Sequence, residues 1–230
     1  MIKIYEDTAK RFFIYDDVID TNIFDTITNE IIDQKSEGNQ SVRFAVTNNI
    51  TNTTFGIYQK FYKDFTDIEK EMFHKNYDID TDYELLRRDS DIMLSNQTRE
   101  TITKNIHNLI KEIYNNNNIE IEYQSVIEYG PGYLMRIHSD TSPGNSRLCT
   151  AVLYCTDMQE GDIGGDVLFY DDETGKNIIY TYKPKKNQLV IFDSYYNTPG
   201  ISHSVTKIEN WNRYVYRIYF KDPNRKNELI

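Results

Sequence analysis

The amino-acid sequence predicts an α+β protein that is mainly β, with helices near the N-terminus and antiparallel strands in the rest of the chain. Up to residue 118 the clearest periodic segments have helical spacing, whereas from residue 119 onward short apolar or alternating runs are separated by Gly, Pro and Asp. Many short strands with turn signals are typical of a β-sandwich or barrel, and helices that precede them pack outside the sheets. We therefore expect a jelly roll, or double-stranded β-helix, with supporting N-terminal helices.

The first half of the sequence contains one short strand pattern and two helical patterns. Residues 11–15 form a short apolar and aromatic β-run. Segment 21–32 carries apolar side chains at helical spacing, and segment 97–114 carries one continuous apolar stripe that predicts the clearest helix. The pattern of segment 42–96 is poor, and residues 47–54 show neither a helical nor a strand period, so we predict loops with short helices there.

The second half of the sequence predicts eight strands. They lie at about 120–128, 132–138, 147–156, 166–171, 177–183, 188–193, 200–206 and 213–221. The chain has no internal repeat and no clear linker. We therefore expect residues 1–230 to form a single domain, with a helix-rich support (1–118) and a jelly-roll core (119–222).

Composition narrows the classes of partner and the compartment. Lys and Arg total 26 against 36 Asp and Glu, which gives a net charge of −10 and argues against nucleic acid as the partner. The N-terminal segment lacks the features of a signal peptide, and no apolar run is long enough to span a membrane. Cys149 and Cys155 lie on one predicted strand about 20 Å apart, too far for a disulfide. We expect a reduced, cytoplasmic protein, and the oligomeric state stays open.

The chemistry is concentrated in two short segments. His138 and Asp140 lie two residues apart at the end of a predicted strand, so their side chains leave the same face. His203 follows 65 residues later, and Arg213 lies ten residues beyond it. Two His and one carboxylate are the ligand set of non-haem Fe(II) oxygenases, and a fixed guanidinium can hold a carboxylate bidentately. Alone, His-x-Asp is equally explained by a strand-end His bonded to a turn Asp. His74 and His107 have no partner at metal-like spacing.

The order of these segments resembles the Fe(II)- and 2-oxoglutarate-dependent dioxygenases, and within them the prolyl 4-hydroxylase-like branch. Tyr129-x-x-Gly-x-x-Met-x-x-His-x-Asp140 is similar to the approach of that branch to its first two iron ligands. Arg147-x-x-Thr-x-x-x-Tyr154 and Gly164-Gly-Asp-Val-Leu-Phe169 resemble its next two strands, and Pro184 to Phe192 the segment before the distal His. The resemblance covers about residues 120 to 221.

The resemblance implies a role for each candidate residue. His138, Asp140 and His203 would hold Fe(II), while 2-oxoglutarate and O₂ would be cosubstrates and ascorbate a further candidate cofactor. Arg213 and Tyr154 would bind 2-oxoglutarate, although Tyr154 is also explained as a core aromatic. Arg147 would contact the substrate, with a surface Arg as the alternative. The role of Arg217 stays open between the cosubstrate site and a pair with an acidic residue.

The resemblance also implies an enzyme that hydroxylates an unactivated C–H bond, with release of succinate and CO₂. The leading substrate is a prolyl residue of a peptide or protein. The alternatives are a free amino acid or other small molecule with the same chemistry, or a non-catalytic binding module on the same jelly roll. Two departures from the branch are Met135, where relatives carry Leu or Tyr, and Arg213, where collagen-type members carry Lys. The retained Asp140 favours hydroxylation over halogenation.

Overall fold

The computed structural model describes residues 1–48, 53–67, 70, 83–140, 147–171, 175–194 and 201–224, and for 43–48, 53–59 and 83–90 it describes the backbone alone. Within these residues the chain forms thirteen strands and two long α-helices, with a 3₁₀ turn at Tyr62–Asp64. The strands are β1 (Ile2–Asp7), β2 (Phe12–Asp16), β3 (Ser41–Asn48), β4 (Thr53–Phe61), β5 (Tyr83–Ile92), β6 (Glu120–Tyr129), β7 (Met135–His138), β8 (Arg147–Tyr154), β9 (Val167–Tyr170), β10 (Ile178–Tyr182), β11 (Leu189–Asp193), β12 (Ser202–Val205) and β13 (Arg213–Lys221). The helices are α1 (Thr21–Ser36) and α2 (Asn96–Tyr114).

The strands build two antiparallel sheets that face each other. The major sheet has nine strands in the order β1-β2-β11-β8-β13-β6-β5-β3-β4, and the minor sheet has four in the order β10-β9-β12-β7. From β6 to β13 each strand lies in the opposite sheet to the one before it, except that β9 and β10 are neighbours in the minor sheet, and this is the arrangement of a jelly roll. The predicted fold class is confirmed, and each of the eight strands expected after residue 119 is present within about three residues of its predicted bounds.

The major sheet is apolar on both faces, for two different reasons. Its outer face packs against the helices, with Ile102, Ile106 and Ile110 of α2 in one cluster with Ala151 and Ile218 of the sheet. Its inner face packs against the minor sheet through a second cluster that includes buried aromatic side chains. The helices therefore close the outer core, and the space between the sheets is left to form the site.

Both helices begin at side chains that cap the free backbone amides of the first turn. The Asp20 carboxylate accepts a hydrogen bond from the Asn22 amide at 2.9 Å. The Ser95 hydroxyl accepts one from the Thr98 amide at 3.3 Å. Such caps satisfy donors that have no partner within the helix. Neither helix is long and apolar enough to cross a membrane, within the part of the chain that the structure describes.

The prediction for 42–96 was wrong, and with it the description of 1–118 as helix-rich. Strands β3 and β5 pair along their length and extend the major sheet beyond β6, with β4 on the far side of β3. A signal for β3 was present, because Val42, Phe44 and Val46 alternate with polar or small residues. The first 118 residues therefore contribute five strands as well as two helices to the structure. Residues 49–52, 68–69 and 71–82 of this stretch lie outside the described part.

Candidate metal centre

The two sequence-predicted histidines face each other across the minor sheet. His203 in β12 pairs directly with His138 at the end of β7, and their ring centroids lie 4.3 Å apart. The Asp140 Oδ1 atom lies 3.5 Å from His138 Nε2. One ligand atom from each of the three side chains lies within 4.8 Å of the other two. The strand pairing thus brings together residues that are 65 positions apart in the sequence.

Hydrogen bonds around this cluster fix the direction of two of its side chains. His138 Nδ1 lies 3.0 Å from the Arg136 carbonyl, so this nitrogen is the donor and Nε2 is left with a free lone pair toward Asp140. The Thr150 hydroxyl donates to Asp140 Oδ2 at 2.7 Å and lies 2.9 Å from the Ser194 hydroxyl. The carboxylate is therefore held from the major sheet while the imidazoles are held by the minor sheet.

The environment favours the protonation states that a metal ion requires. Burial lowers the pKa of His203 to about 3, so its imidazole is neutral at physiological pH. Burial opposes ionisation of Asp140, but the neighbouring His203 and His138 and the Arg217 guanidinium hold the pKa of this carboxyl well below its usual range. A neutral imidazole and an ionised carboxylate are the forms that bind divalent metals.

The donor set fits Fe(II) by its chemistry and by an unsatisfied buried atom. His203 is buried against Phe169 and Phe192, and its Nδ1 has no hydrogen-bond partner among the described residues. A buried imidazole with unused polar atoms is costly unless it binds a ligand. Two imidazoles and one carboxylate leave open coordination positions on the metal, as an oxygenase requires. His107 is not part of this cluster, and its Nε2 lies 2.7 Å from the Ile119 carbonyl. His74 lies outside the described residues.

Arg213 lies at the closed end of the same cavity. Its side chain is buried with 3 % of its surface exposed, its Nη1 donates to the Gly165 carbonyl at 3.0 Å, and its guanidinium stacks on the Tyr129 ring at 4.6 Å. It forms no ion pair with any described residue, and its Nε has no hydrogen-bond partner there. A buried guanidinium without a counter-charge calls for an anionic ligand.

A family model decides what this combination represents. Residues 124–221 match the model of the 2OG-Fe(II) oxygenase superfamily, and this segment contains all three metal-ligand candidates and Arg213. The match covers 98 of the 230 residues and shows that this segment is similar to the 2OG-Fe(II) oxygenase superfamily. The superfamily that this segment matches takes Fe(II) as its metal, with 2-oxoglutarate and O₂ as cosubstrates. No curated protein matches the chain at a significant level.

Solved structures with a similar fold are prolyl hydroxylases. The prolyl-4-hydroxylase of Pseudomonas putida superposes with a TM-score of 0.62 at 15 % identity, and the match covers 94 % of each chain. The viral collagen prolyl hydroxylase of Paramecium Bursaria Chlorella virus-1, in its 2OG complex, gives 0.55 at 15 % identity over 91 % of this chain and 94 % of that one. A Trichoplax adhaerens prolyl hydroxylase bound to a hypoxia inducible factor peptide gives 0.55 at 14 % identity over 92 % and 83 %. At these identities the likeness concerns the fold.

Tyr154 lies beside Arg213 in the oxygenase cavity. Its strand neighbours Thr150 and Val152 face the same interior, as the alternation along β8 predicts. Burial raises the pKa of the Tyr154 phenol, although the Arg213 guanidinium acts in the opposite direction, so the hydroxyl stays protonated and able to donate. The ring also packs on Tyr182 at 4.6 Å. The position agrees with a role in cosubstrate binding, and that role stays a prediction.

Arg147 lies at the edge of the cluster with its guanidinium already engaged. Its Nε donates to Glu122 Oε2 at 2.9 Å, and Nη1 donates to the backbone carbonyl of Asp140. The guanidinium also lies 3.5 Å from the centroid of the Tyr219 ring. These contacts tie the loop that carries a metal-ligand candidate to strands β6 and β13. The expected substrate contact stays a prediction beside this structural role.

Three features of the site were not found from the sequence. Thr150 and Ser194 orient the carboxylate of Asp140, and the Gly165 carbonyl receives a hydrogen bond from Arg213. Thr150 lies inside a quoted motif and has the parity of Tyr154, so a strand-facing argument was available for it. No comparable signal indicated the Gly165 carbonyl, because every residue has a backbone carbonyl and the residue type does not show which one accepts a hydrogen bond. The added Cβ of any other residue at Gly165 would lie 2.6 Å from the Trp211 ring, which explains the glycine.

Proposed function

We propose that this dioxygenase hydroxylates an unactivated C–H bond of a prolyl residue in a peptide or protein. The observation that carries the proposal is the joint placement of His138, Asp140, His203 and Arg213 around one cavity between the two sheets. The three ligand candidates would bind Fe(II), and the guanidinium would bind the distal carboxylate of 2-oxoglutarate. The prolyl residue is supported by the fold, which resembles three prolyl hydroxylases.

The cavity provides a position for each part of the cosubstrate. Arg213 and Tyr154 lie at the buried end and offer a charged and a neutral donor to one carboxylate of 2-oxoglutarate. The 2-oxo acid end would then lie toward His138 and Asp140, which are less buried. Val152, Val215 and Phe192 line the space between and exclude water from it. Arg213 and Tyr154 would thus bind and orient the cosubstrate and take no part in the chemical steps.

When bound, Fe(II) supplies the oxidative chemistry: one oxygen atom of O₂ enters the substrate C–H bond and the other enters succinate, with loss of CO₂ from 2-oxoglutarate. The protein contributes placement of the reactants and exclusion of water. The neutral His203 and the ionised Asp140 keep their lone pairs directed at the metal position. The Thr150 hydroxyl donates to Asp140 Oδ2, so Oδ1, which lies 3.5 Å from His138 Nε2, is the oxygen that would bind the metal.

Two narrower expectations also belong to this proposal. The two cysteines are free thiols buried on or next to β8, which supports a reducing, cytoplasmic environment. The net charge of −10 supports a peptide or small molecule, rather than nucleic acid, as the partner.

The experiment that tests the proposal is a mass-shift screen with Fe(II), 2-oxoglutarate and O₂. Proline-containing peptides and free amino acids are incubated with the enzyme and examined for the addition of one oxygen atom, with succinate measured in parallel. We expect oxygen addition to a prolyl peptide, and its loss in Asp140→Ala. Oxygen addition to free amino acids alone would exclude the peptide substrate but keep the oxygenase chemistry. If the wild type forms no more succinate than Asp140→Ala with any of the substrates, the protein is a non-catalytic binding module.

A further inference from the structure

A second arginine lies on the same strand face as Arg213, and the proposed reaction does not use it. Arg217 is four residues further along β13, so both side chains point between the sheets. Across the major sheet Arg217 pairs with Ser125 on one side and Val152 on the other. It lines the cavity together with Asp140 and His138.

The Arg217 guanidinium has no matching acceptor in the described part of the protein. It forms no ion pair or hydrogen bond there, and its Nε is buried without a partner. Its contact is with the Tyr219 ring, whose centroid lies 4.7 Å away. The charged or titratable groups that act on it are Tyr129, Tyr219, Asp140 and Asp91, and none of them lies at ion-pair distance.

The two arginines belong to different ends of the cavity. Arg213 is almost completely buried, whereas Arg217 is partly exposed, as are His138 and Asp140. Four residues of extended strand place the Cα atoms of the two arginines about 13 Å apart. The two carboxylates of 2-oxoglutarate are only roughly 5 Å apart. A cosubstrate anchored on Arg213 and chelated to the metal therefore leaves Arg217 on the open, substrate side.

A count of charges leads to the same conclusion. Fe(II) contributes +2, Asp140 −1, 2-oxoglutarate −2 and Arg213 +1, so the loaded site is neutral without Arg217. The Arg217 guanidinium then adds one positive charge on the cavity wall, and the two carboxylates that act on it, Asp140 and Asp91, do not lie at ion-pair distance. In a partly desolvated cavity such a charge is costly unless an anion binds with the substrate.

We propose that Arg217 binds a carboxylate of the substrate close to the carbon that is hydroxylated. This inference rests on the proposed function and narrows its substrate class to acids. The carboxylate can belong to the terminus of a small acid or to an acidic side chain next to the reacting residue in a peptide. Both sources present the same planar carboxylate to the guanidinium, which lies 4.7 Å from the centroid of the Tyr219 ring.

The test measures binding of matched acids and amides to the protein loaded with Mn(II) and 2-oxoglutarate, in which no turnover occurs. The probes are N-acetyl-L-amino acids with their carboxamides, and short prolyl peptides with Glu or Gln beside the proline. Affinity is measured by calorimetry. We expect at least one acid to bind about tenfold or more tightly than its amide, as a charge-assisted contact predicts. The small acids and the Glu peptides then distinguish the two sources of the carboxylate.

The variants assign that preference to one side chain. Arg217→Gln should reduce the preference to less than about threefold, and Arg217→Lys should keep part of it because the charge remains. Lys104→Gln, on an exposed position of α2, removes one positive charge outside the cavity and should change nothing. The affinities for Mn(II) and for 2-oxoglutarate should stay within about threefold in all variants, which also shows that each is folded.

Three results would overturn the proposal. The first is a wild-type protein that binds no acid more tightly than its amide. The second is a preference that survives in Arg217→Gln. The third is an Arg217→Gln variant that loses Mn(II) or 2-oxoglutarate affinity to the same degree, because Arg217 would then serve the cosubstrate. Succinate formation by the Fe(II)-loaded wild type is measured separately, so that failure of the oxygenase chemistry is distinguished from failure of carboxylate binding.

Discussion

The two faces of the major sheet are built from the same strands, but the outer face packs against the helices and the inner face lines the candidate site. Along β13 the inward side chains are Arg213, Val215 and Arg217, and two of these three are charged. The outward side chains Tyr216 and Ile218 are buried against the helices in an apolar cluster. The alternation of a strand thus allows one segment to stabilise the fold with every second residue and to carry the site with the others.

This difference between the faces predicts which substitutions change the free energy of unfolding and which change ligand affinity. A change on the outer face should reduce the free energy of unfolding and leave ligand affinity unchanged in the molecules that fold. A change of Arg213 or Arg217 on the inner face should do the reverse, because neither guanidinium forms an ion pair with a described residue and each therefore contributes little to stability.

The largest effect is expected on the outer face, from Ile218→Ala. Ile218 is fully buried in the helix-facing cluster, and removing its side chain should lower the free energy of unfolding by about 3 kcal/mol. Urea unfolding measures this loss, and the affinity for 2-oxoglutarate in the folded fraction should not change. The matched control Ile178→Ala, on an exposed position, should cost little stability. A weakened cosubstrate affinity in Ile218→Ala would break the separation of the two faces.

The next effect is expected on the inner face, from Arg213→Gln. It removes a buried guanidinium that lacks a counter-charge, so the affinity for 2-oxoglutarate should fall by about 30- to 100-fold, or roughly 2 to 3 kcal/mol. Calorimetry with Mn(II)-loaded protein measures it, and the free energy of unfolding should not decrease. Unchanged 2-oxoglutarate affinity would remove Arg213 from the cosubstrate site.

A smaller effect is expected from Thr150→Val, which keeps the shape of the side chain but removes the hydroxyl. Thr150 donates to the Asp140 carboxylate, so the metal affinity should fall by about tenfold. The affinity for 2-oxoglutarate at saturating metal should change less. Metal affinity equal to that of the wild type would show that Asp140 does not depend on this bond for its orientation.

The last effect is absent at neutral pH and appears on the outer face only at alkaline pH. Burial raises the pKa of Cys155 from 9.0 to about 12, so the thiol stays neutral in the folded protein while the unfolded chain ionises near pH 9. The stabilisation is complete below pH 9 and is lost as the pH rises toward 12, at up to about 1.4 kcal/mol per pH unit for one proton. Cys155→Ala should reduce the steepness of this loss in urea unfolding between pH 8 and about 11. An unchanged slope would show that this thiol does not take part.

Much of the jelly roll could be predicted from the sequence because its strands are short, apolar and separated by turn residues. The alternation along β8 also accounts for Thr150, Val152 and Tyr154, which all face the space between the sheets. Residues 42–96 were harder to predict, since β3 to β5 extend the sheet past the two cores and their pairing is set by neighbours far away in the sequence. The weak strand alternation in this segment was therefore interpreted as loops.

The candidate site divides in a similar way. Its metal-ligand candidates and Arg213 were identified by residue type, by spacing and by the resemblance to the dioxygenases, and the structure brings them to one cavity. The orientation of Asp140 by Thr150 and Ser194 depends on contacts between strands β8 and β11, which spacing along the chain does not encode. The partnerless state of Arg217 likewise emerges only when all its described neighbours are known.

The most direct test of the account is a titration with Mn(II), followed by the loss of the free-ion EPR signal. We predict one ion bound per chain, with affinity reduced by at least about 100-fold in each of His138→Ala, Asp140→Ala and His203→Ala. His107→Ala, which removes an imidazole outside the cluster, should bind like the wild type. Equal metal binding by the wild type and the three variants would show that these side chains do not form the iron site.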